Sequence, residues 1–281
     1  MNYIFTVATN IYIQFLEYQA KTYQHLFPQE DKMFIWFVDN VDNAQQIANK
    51  FPEFNISIER IDNLVYPFNT YFKFNYIENW CNRNGINDTD MIMFFDADTV
   101  FVAHPDPELL YKNVTSHNCT LTFDPTNNHQ GNIFWQYEDG PCSVSYEYMS
   151  ENYIQASFII CKYSFFKVLM KDYNYYVRDY SIKKKLPVMF DQTILNYLAS
   201  IDTDNNFYLD NFNLNVANRV YTVNGVENIS WQVQFKTPGK WFGWFEGERT
   251  LQPYELGNNF FFIQKFNQHI KAKNKLGNIY K

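Results

Sequence analysis

The sequence has no long hydrophobic run and no excess of basic charge. None of its apolar clusters approaches the ~20 residues that a membrane-spanning helix needs, although 46% of the 281 residues are hydrophobic and 20% are aromatic. The net charge of −7 disfavours a nucleic-acid binder, because such binders use lysine and arginine against phosphate. The net charge does not exclude a small phosphorylated ligand bound in a local basic pocket. We therefore expect a globular protein with an ample core, no transmembrane segment and no nucleic-acid partner.

Closely spaced cysteines and targeting signals are also missing. The four cysteines lie far apart and form no C-x-x-C pair, so neither a zinc site nor a disulfide framework is predicted. We expect reduced, mostly buried thiols at Cys81, Cys119, Cys142 and Cys161. Residues 1–9 carry neither a basic segment nor a long apolar one, so no signal peptide is predicted and a cytoplasmic location is expected.

The first hundred residues alternate between two hydrophobic patterns. Short apolar runs, typical of strands buried on both faces, occupy residues 3–9, 33–38, 55–61 and 91–95. Helical spacing occupies residues 12–27, 43–51 and 68–83. This alternation predicts an α/β fold with a mainly parallel, Rossmann-like central sheet flanked by helices. Such sheets bind ligands beyond the carboxyl ends of their strands.

The second half of the chain is less regular. Residues 116–153 are rich in asparagine, glycine, proline and aromatic residues, which is typical of a functional loop segment. A strand over residues 157–161 and helices over 164–184 and 191–200 are predicted to complete the globule. No repeat or linker divides the sequence, so we expect one domain over residues 1–281.

Two aspartates follow the predicted strand at residues 91–95. Asp96 and Asp98 are two positions apart, so their side chains can converge if the strand geometry continues. Two carboxylates beside an apolar strand repel each other and lose hydration unless a cation lies between them. Oxygen ligands favour Mn²⁺ or Mg²⁺. An ordinary acidic turn is the alternative, but the apolar residues on both sides of the motif favour a metal site.

With this motif, the sequence resembles the GT-A glycosyltransferases, nucleotide-sugar enzymes whose D-x-D motif binds the metal. More narrowly, it resembles glycosyltransferase family 6, the retaining α-galactosyl and α-N-acetylgalactosaminyl transferases related to the blood-group enzymes. The resemblance runs through most of the chain in short pieces. It implies a GT-A fold with a nucleotide-binding half (1–115), an acceptor and sugar-pocket half (116–250) and a basic tail (251–281).

The resemblance also implies residues that bind the nucleotide. The family's first strand and loop, where uracil binds, are similar to Val7, Ala8, Thr9 and Tyr12. Residues 37–39 resemble the end of its second strand, and Ala97 lies within the D-x-D motif. Lys73 resembles a basic residue near the metal, with a solvated helix residue as the alternative. Lys265 and Lys271 resemble the tail that folds over the diphosphate, with an unstructured terminus as the alternative.

A second group of residues resembles the sugar pocket. Ala156 falls in the turn that sets donor size, and its small side chain suggests UDP-galactose. In residues 190–196, Asp191 matches a residue that contacts the donor sugar, although it could simply cap a helix. Gln192 replaces the family's proposed nucleophilic glutamate and is a far weaker nucleophile. The same segment also resembles retaining family 8. With a glutamine at position 192, we expect front-face substitution without a covalent intermediate.

These residues lead to two functional hypotheses. The first is a metal-dependent retaining glycosyltransferase, bacterial or viral, that moves galactose or a related hexose from a UDP-sugar to a glycan or other hydroxyl acceptor. The second is a catalytically impaired relative that binds a nucleotide sugar or a glycan. Gln192 supports the second, whereas the acidic pair supports the first, because an inactive site has no reason to keep it.

Overall fold

The computed structural model describes residues 1–26, 31–64, 68–97, 99–101, 107–123, 141–144, 148, 152, 154–183, 191–210, 219–223, 226–230, 242–244, 253–256 and 259–262. The helices in these ranges are α1 Ile13–Ala20, α2 Val41–Ala48, α3 Phe68–Tyr71, α4 Lys73–Asn84, α5 Pro107–His117, α6 Tyr163–Ile182 and α7 Asp191–Ser200. Single 3₁₀ turns flank α1 at Asn10–Tyr12 and Tyr23–His25.

A seven-stranded mixed sheet forms the centre of the described structure. Its strands are β1 Asn2–Ala8, β2 Lys32–Val38, β3 Ile56–Arg60, β4 Met91–Phe95, β6 Cys119–Phe123, β7 Ile154–Lys162 and β8 Phe207–Asp210. They lie in the order β3-β2-β1-β4-β7-β6-β8. Among these seven, β7 alone runs antiparallel to its neighbours. The predicted α/β fold with a mainly parallel sheet is confirmed.

The remaining strands form three antiparallel pairs. Their bounds are β5 Thr99–Phe101, β9 Arg219–Val223, β10 Val226–Ser230, β11 Phe242–Trp244, β12 Pro253–Leu256 and β13 Asn259–Phe262. The pairs are β5 with β11, β9 with β10, and β12 with β13.

Helices cover both faces of the sheet because its central strands are apolar throughout. In β2, Phe34 and Trp36 pack with α1 and α2 on one face. Ile35 and Phe37 pack with α4, α6 and α7 on the other. Alternate side chains of a strand point to opposite faces, so a continuous apolar run is buried on both sides. All four cysteines are buried and free, as predicted: Cys119 and Cys161 lie in the sheet, Cys81 on the inner face of α4, and Cys142 in a turn packed on the same core.

Two predictions about secondary structure are wrong. The helix predicted over residues 12–27 is shorter, because α1 ends at Ala20 and a 3₁₀ turn follows. The segment 116–153 was predicted to be irregular, but it contains β6. Polar threonines interrupt the apolar pattern of β6, yet Thr120 is fully buried between two neighbouring strands. Threonine is β-branched and fits such a position, although its polarity hides the strand in the sequence. Residues 124–140 lie outside the described residues.

Among the described residues, no helix combines the length and the apolar character needed to cross a lipid bilayer.

Candidate functional site

The predicted sugar and metal residues meet at one edge of the sheet. Asp96 follows β4 directly, at the carboxyl end of that strand. Because β7 runs in the opposite direction, its first residues, including Ala156, lie at the same edge. Helices α4 and α7 begin there with Lys73 and Asp191 as their first residues. Four segments that are distant in the sequence therefore converge.

Lys73 lies at the centre of this cluster. Its side chain is only 3% exposed, and its Nζ is 2.7 Å from Oδ2 of Asp191. The ammonium also donates to the carbonyl oxygen of Ala156 at 2.7 Å and to Oδ1 of Asp96 at 3.3 Å. The ammonium thus donates hydrogen bonds to two oxygens, those of Ala156 and Asp96, and forms a close ion pair with the third, on Asp191. The ring of Phe94 lies 4.5 Å below it, which adds a cation–π contact. Lys73 is thus an internal cation, and the alternative of a solvated helix residue is wrong.

An irregularity in β7 makes the Ala156 carbonyl available. In the β6–β7 ladder Leu121 pairs with Ile159, whereas Thr122 pairs with Gln155. Residues 156–158 of β7 therefore have no counterpart in β6. A bulge of this kind leaves backbone groups outside the ladder, and such groups often serve a site. Here the freed carbonyl accepts the Lys73 hydrogen bond.

The buried charges shift each other's titration. Burial raises the pKa of Asp191 to about 6, although Lys73 opposes this shift and Asp96 adds to it. For Lys73, burial lowers the pKa, but Asp191 and Asp96 together outweigh this and raise it above its usual value. Lys73 therefore stays protonated. The side chain of Asp96 is 40% exposed to solvent, whereas those of Lys73 and Asp191 are buried.

The donor set at this edge fits one part of a metal site. Asp98 lies outside the described residues, and within the described ranges no group of three or more His, Cys, Asp or Glu is placed to hold a metal ion. Asp191 faces the ammonium, so it is not offered to a metal. Asp96 presents a half-exposed carboxylate. Since Mg²⁺ and similar ions bind through one or two carboxylates plus substrate phosphates, Asp96 fits as one ligand of such a site.

A buried hydrogen-bond network fixes the backbone of Asp96. Gln19 in α1 donates from Nε2 to the carbonyl oxygen of Asp96 at 2.9 Å. Its Oε1 accepts hydrogen bonds from Thr6 and Tyr23, and Tyr23 in turn accepts from the indole nitrogen of Trp36. Sequence reasoning missed this role of Gln19. The available signal was a glutamine within the apolar stripe of α1.

Replacing Gln19 by leucine is expected to lower the free energy of unfolding by about 2 kcal/mol, because the Asp96 carbonyl and two hydroxyl groups lose a buried partner. Urea unfolding followed by circular dichroism measures this change. Gln46→Leu, at an exposed position of α2, is the control and should shift stability by less than about 0.5 kcal/mol. Equal effects of the two substitutions would contradict the assigned role of Gln19.

The start of α7 is fastened to the start of β7. Asn196 is buried and binds both backbone groups of Ile154, accepting from its N–H and donating to its carbonyl, each at 2.9 Å. It also donates to the carbonyl of Gln192 at 2.9 Å. These hydrogen bonds hold the first turn of α7, which carries Asp191 and half-buried Gln192, beside the start of β7. Because Asp191 is already the first helical residue and its carboxylate pairs with Lys73, the structure gives it more than a capping role.

The predicted nucleotide residues lie at the end of β1. Ala8 is buried in the core, Val7 and Tyr12 are partly buried against it, and Thr9 is half-buried. Ala97, directly after Asp96, is also buried. Lys265 and Lys271 lie outside the described residues.

Sequence reasoning missed an exposed polar shelf beside β1. Asn10 adopts a left-handed backbone conformation with φ 54°, and its N–H donates to both carboxylate oxygens of Asp39 at 3.1 Å. The side-chain amides of Asn10 and Asn63 exchange hydrogen bonds at 2.8 and 2.9 Å. Asn10 follows β1 and Asp39 follows β2, so this shelf lies at the carboxyl edge of the sheet, the same edge at which Asp96 lies.

We compared the sequence with models of known protein families and with curated proteins. Neither a model of a known protein family nor a curated protein matches the sequence.

Proposed function

We propose that this protein is a metal-dependent retaining glycosyltransferase that moves a hexose from a UDP-sugar to a glycan or another hydroxyl acceptor. One observation carries the proposal: buried Lys73 joins Asp96, Asp191 and Ala156 at the carboxyl edge of the sheet. The GT-A resemblance assigned a role in the donor site to each of these four residues, from four separate segments. Their convergence at the edge where α/β sheets bind ligands supports that assignment.

In this proposal Asp96 and Asp98 hold Mn²⁺ or Mg²⁺. The ion, when bound, neutralises the negative charge that develops on the departing UDP. The network through Gln19 keeps the backbone of Asp96 in place, so its carboxylate is preorganised and needs little rearrangement when the donor binds. The exposed fraction of the Asp96 carboxylate is the part that would bind the ion.

Asp191 and Gln192 would act on the sugar. Lys73 fixes the direction of the Asp191 carboxylate, which orients the donor hexose. Gln192 lies beneath the anomeric carbon, where its amide is too weakly nucleophilic to form a glycosyl adduct. The acceptor oxygen then forms its bond to the anomeric carbon on the face from which UDP leaves, and its proton passes to the departing diphosphate. The anomeric configuration is retained through an oxocarbenium-like transition state. Trapping of a glycosyl adduct on Gln192 would overturn this route.

The small side chain at Ala156 suggests a donor such as UDP-galactose. Ala156 is buried beside the cluster, and its carbonyl is bound to Lys73. A larger side chain at this position would meet the neighbours of the ammonium. Galactose and related hexoses are therefore the first donors to test.

The proposal is tested by measuring UDP release from a panel of UDP-sugars, with Mn²⁺ and with a chelator. We expect release from one sugar, and we expect the chelator to abolish it. Asp96→Asn should lower the rate by about 10²–10³-fold, the range found when one preorganised electrostatic group is removed. Asp42→Asn, at an exposed position of α2, should leave the rate unchanged.

The competing function is a nucleotide-sugar binder without turnover, which the amide of Gln192 favours. Calorimetric titration with the same UDP-sugars separates the two. Saturable, metal-dependent binding without release, in the presence of simple sugar acceptors, would support the binder. If no UDP-sugar binds and none releases UDP, both functions are rejected.

A further inference from the structure

Helix α6 exposes three large apolar side chains at intervals of seven residues. Val168 is 54% exposed, Tyr175 64% and Ile182 69%. Seven residues make nearly two turns of an α-helix, so these side chains form one line along the helix, which we call the α6 stripe. The opposite face of α6 packs into the core through Phe166, Leu169, Met170, Tyr173 and Tyr180. The stripe is therefore surplus to the packing of α6 on its own sheet.

Charged residues flank the stripe in a regular way. Lys171 and Asp172 follow Val168 by three and four positions, and Arg178 and Asp179 follow Tyr175 by the same steps. On a helix, positions i+3 and i+4 lie on opposite sides of residue i. One side of the stripe thus carries two cations, and the other side carries two anions.

This pattern is complementary to itself in one orientation. A half-turn about an axis parallel to α6 places the stripe against the stripe of a second copy. It also brings the cationic side of each helix against the anionic side of the other. An antiparallel pairing would bring cation to cation and anion to anion. The four charges cancel; with Lys167, its ion-pair partner Asp88 and Lys183 added, the surroundings of the stripe carry a single positive charge, which is little attraction for an anionic lipid surface or a nucleic acid.

We propose that the α6 stripe is an interface with a second copy of this chain, with the two α6 helices parallel and related by a two-fold axis. Val168, Tyr175 and Ile182 each meet their own counterpart. Lys171 faces the partner's Asp172, and Arg178 faces the partner's Asp179, whose carboxylate also holds Lys183 of its own chain at 2.9 Å. Three apolar residues per chain form a small interface, so the dimer is reversible and depends on concentration. The proposal does not depend on the proposed function.

The orientation is tested by disulfide cross-linking of the full chain. Ile182→Cys places a thiol where only a parallel pair brings residue 182 against residue 182. The four native thiols are buried and do not compete. We expect a disulfide-linked dimer under mild thiol oxidation. Ile201→Cys, at a site that is 49% exposed outside the stripe, is the control. Cross-linking of Ile182→Cys no faster than the control would overturn the proposal.

Charge exchange gives an independent test by sedimentation velocity over a range of protein concentrations. The native chain should associate, and Arg178→Asp should weaken the dimer about tenfold by setting like charges opposite each other. The double variant Arg178→Asp/Asp179→Arg should restore native affinity. A double variant that associates more tightly than the native chain would indicate the antiparallel pairing and overturn the proposed one, as would a native chain that stays monomeric at every concentration.

Discussion

Methionine in place of Lys73 is expected to lower the free energy of unfolding by about 3–5 kcal/mol, the cost of removing one partner from a buried ion pair. Methionine keeps most of the length and apolar volume of lysine, so packing changes little. What changes is that Asp191 and the Ala156 carbonyl lose their cation. Urea unfolding at neutral pH measures the loss. Lys50→Met, which breaks an exposed ion pair with Glu17, should cost less than about 1 kcal/mol.

A double substitution shows that the loss comes from the unpaired carboxylate. In Lys73→Met/Asp191→Asn no buried charge is left without a partner, because Asp96 is open to water. The double variant should therefore be more stable than Lys73→Met alone. If Lys73→Met cost no more than Lys50→Met, Lys73 would not be the buried cation that the structure shows.

Asparagine in place of Asp191 is expected to lower kcat about 100-fold in the proposed transfer reaction. The substitution keeps the shape of the side chain but removes the charge that pairs with Lys73 and that would orient the donor sugar. Once the donor is known, steady-state kinetics of UDP release measures the change. Asp42→Asn, at an exposed position of α2, is the matched control. An unchanged kcat would remove Asp191 from the machinery of the site.

The same variant should change the dependence of activity on pH. The pKa of Asp191 is raised to about 6, so the carboxylate is ionised at neutral pH and becomes protonated as the pH falls below 6. Native activity should therefore decline on the acid side with a midpoint near pH 6. In Asp191→Asn the residual activity should lack this step. A native profile that stays flat down to pH 5 would contradict the requirement for an ionised Asp191.

The contribution of Asp191 to the free energy of unfolding should change with pH in the opposite direction to activity. The folded pKa of Asp191 lies above the unfolded value of 3.8, so the folded state binds the proton more tightly. The stabilisation that protonated Asp191 gives to the folded state is fully present below about pH 4 and is lost as the pH rises through 6. The ionised carboxylate that the proposed reaction needs is thus the less stable form of the fold.

The strands of the parallel half of the sheet could be predicted because their burial is visible in the sequence. The apolar runs at β2 and β4 have no polar interruption, and the run at β1 has only Thr6; the structure places these strands within one residue of the predicted limits. Helix α7 begins at the predicted Asp191. By contrast, β6 alternates threonine with apolar residues and resembles a solvated segment. Its burial depends on β7 and β8, which pair with it from later in the chain.

The sequence predicted which acidic residues belong to the candidate site, but not which residues they contact. Asp96 and Asp191 stand out because carboxylates beside apolar runs are costly. No local pattern indicates that Lys73 is buried between them, since that position depends on the packing of α4 against β4 and β7. The same holds for Gln19 and Asn196, which bind backbone groups 77 and 42 positions away in the chain. Such long-range polar contacts have no periodicity that a sequence could display.

The reversed direction of β7 has a consequence for how the protein could diversify. Strand β6 ends with Phe123 and β7 begins with Ile154 at the same edge of the sheet, where Asp96 and Lys73 meet. The chain therefore leaves the sheet after Phe123 and enters it again at Ile154, beside the site, and residues 124–153 are the segment between. Insertions or exchanges within this segment can alter what reaches the site without shifting the register of any central strand. If the protein performs the proposed transfer, this segment is the natural place for new acceptor preferences to arise in evolution, and the first place to graft them in engineered variants.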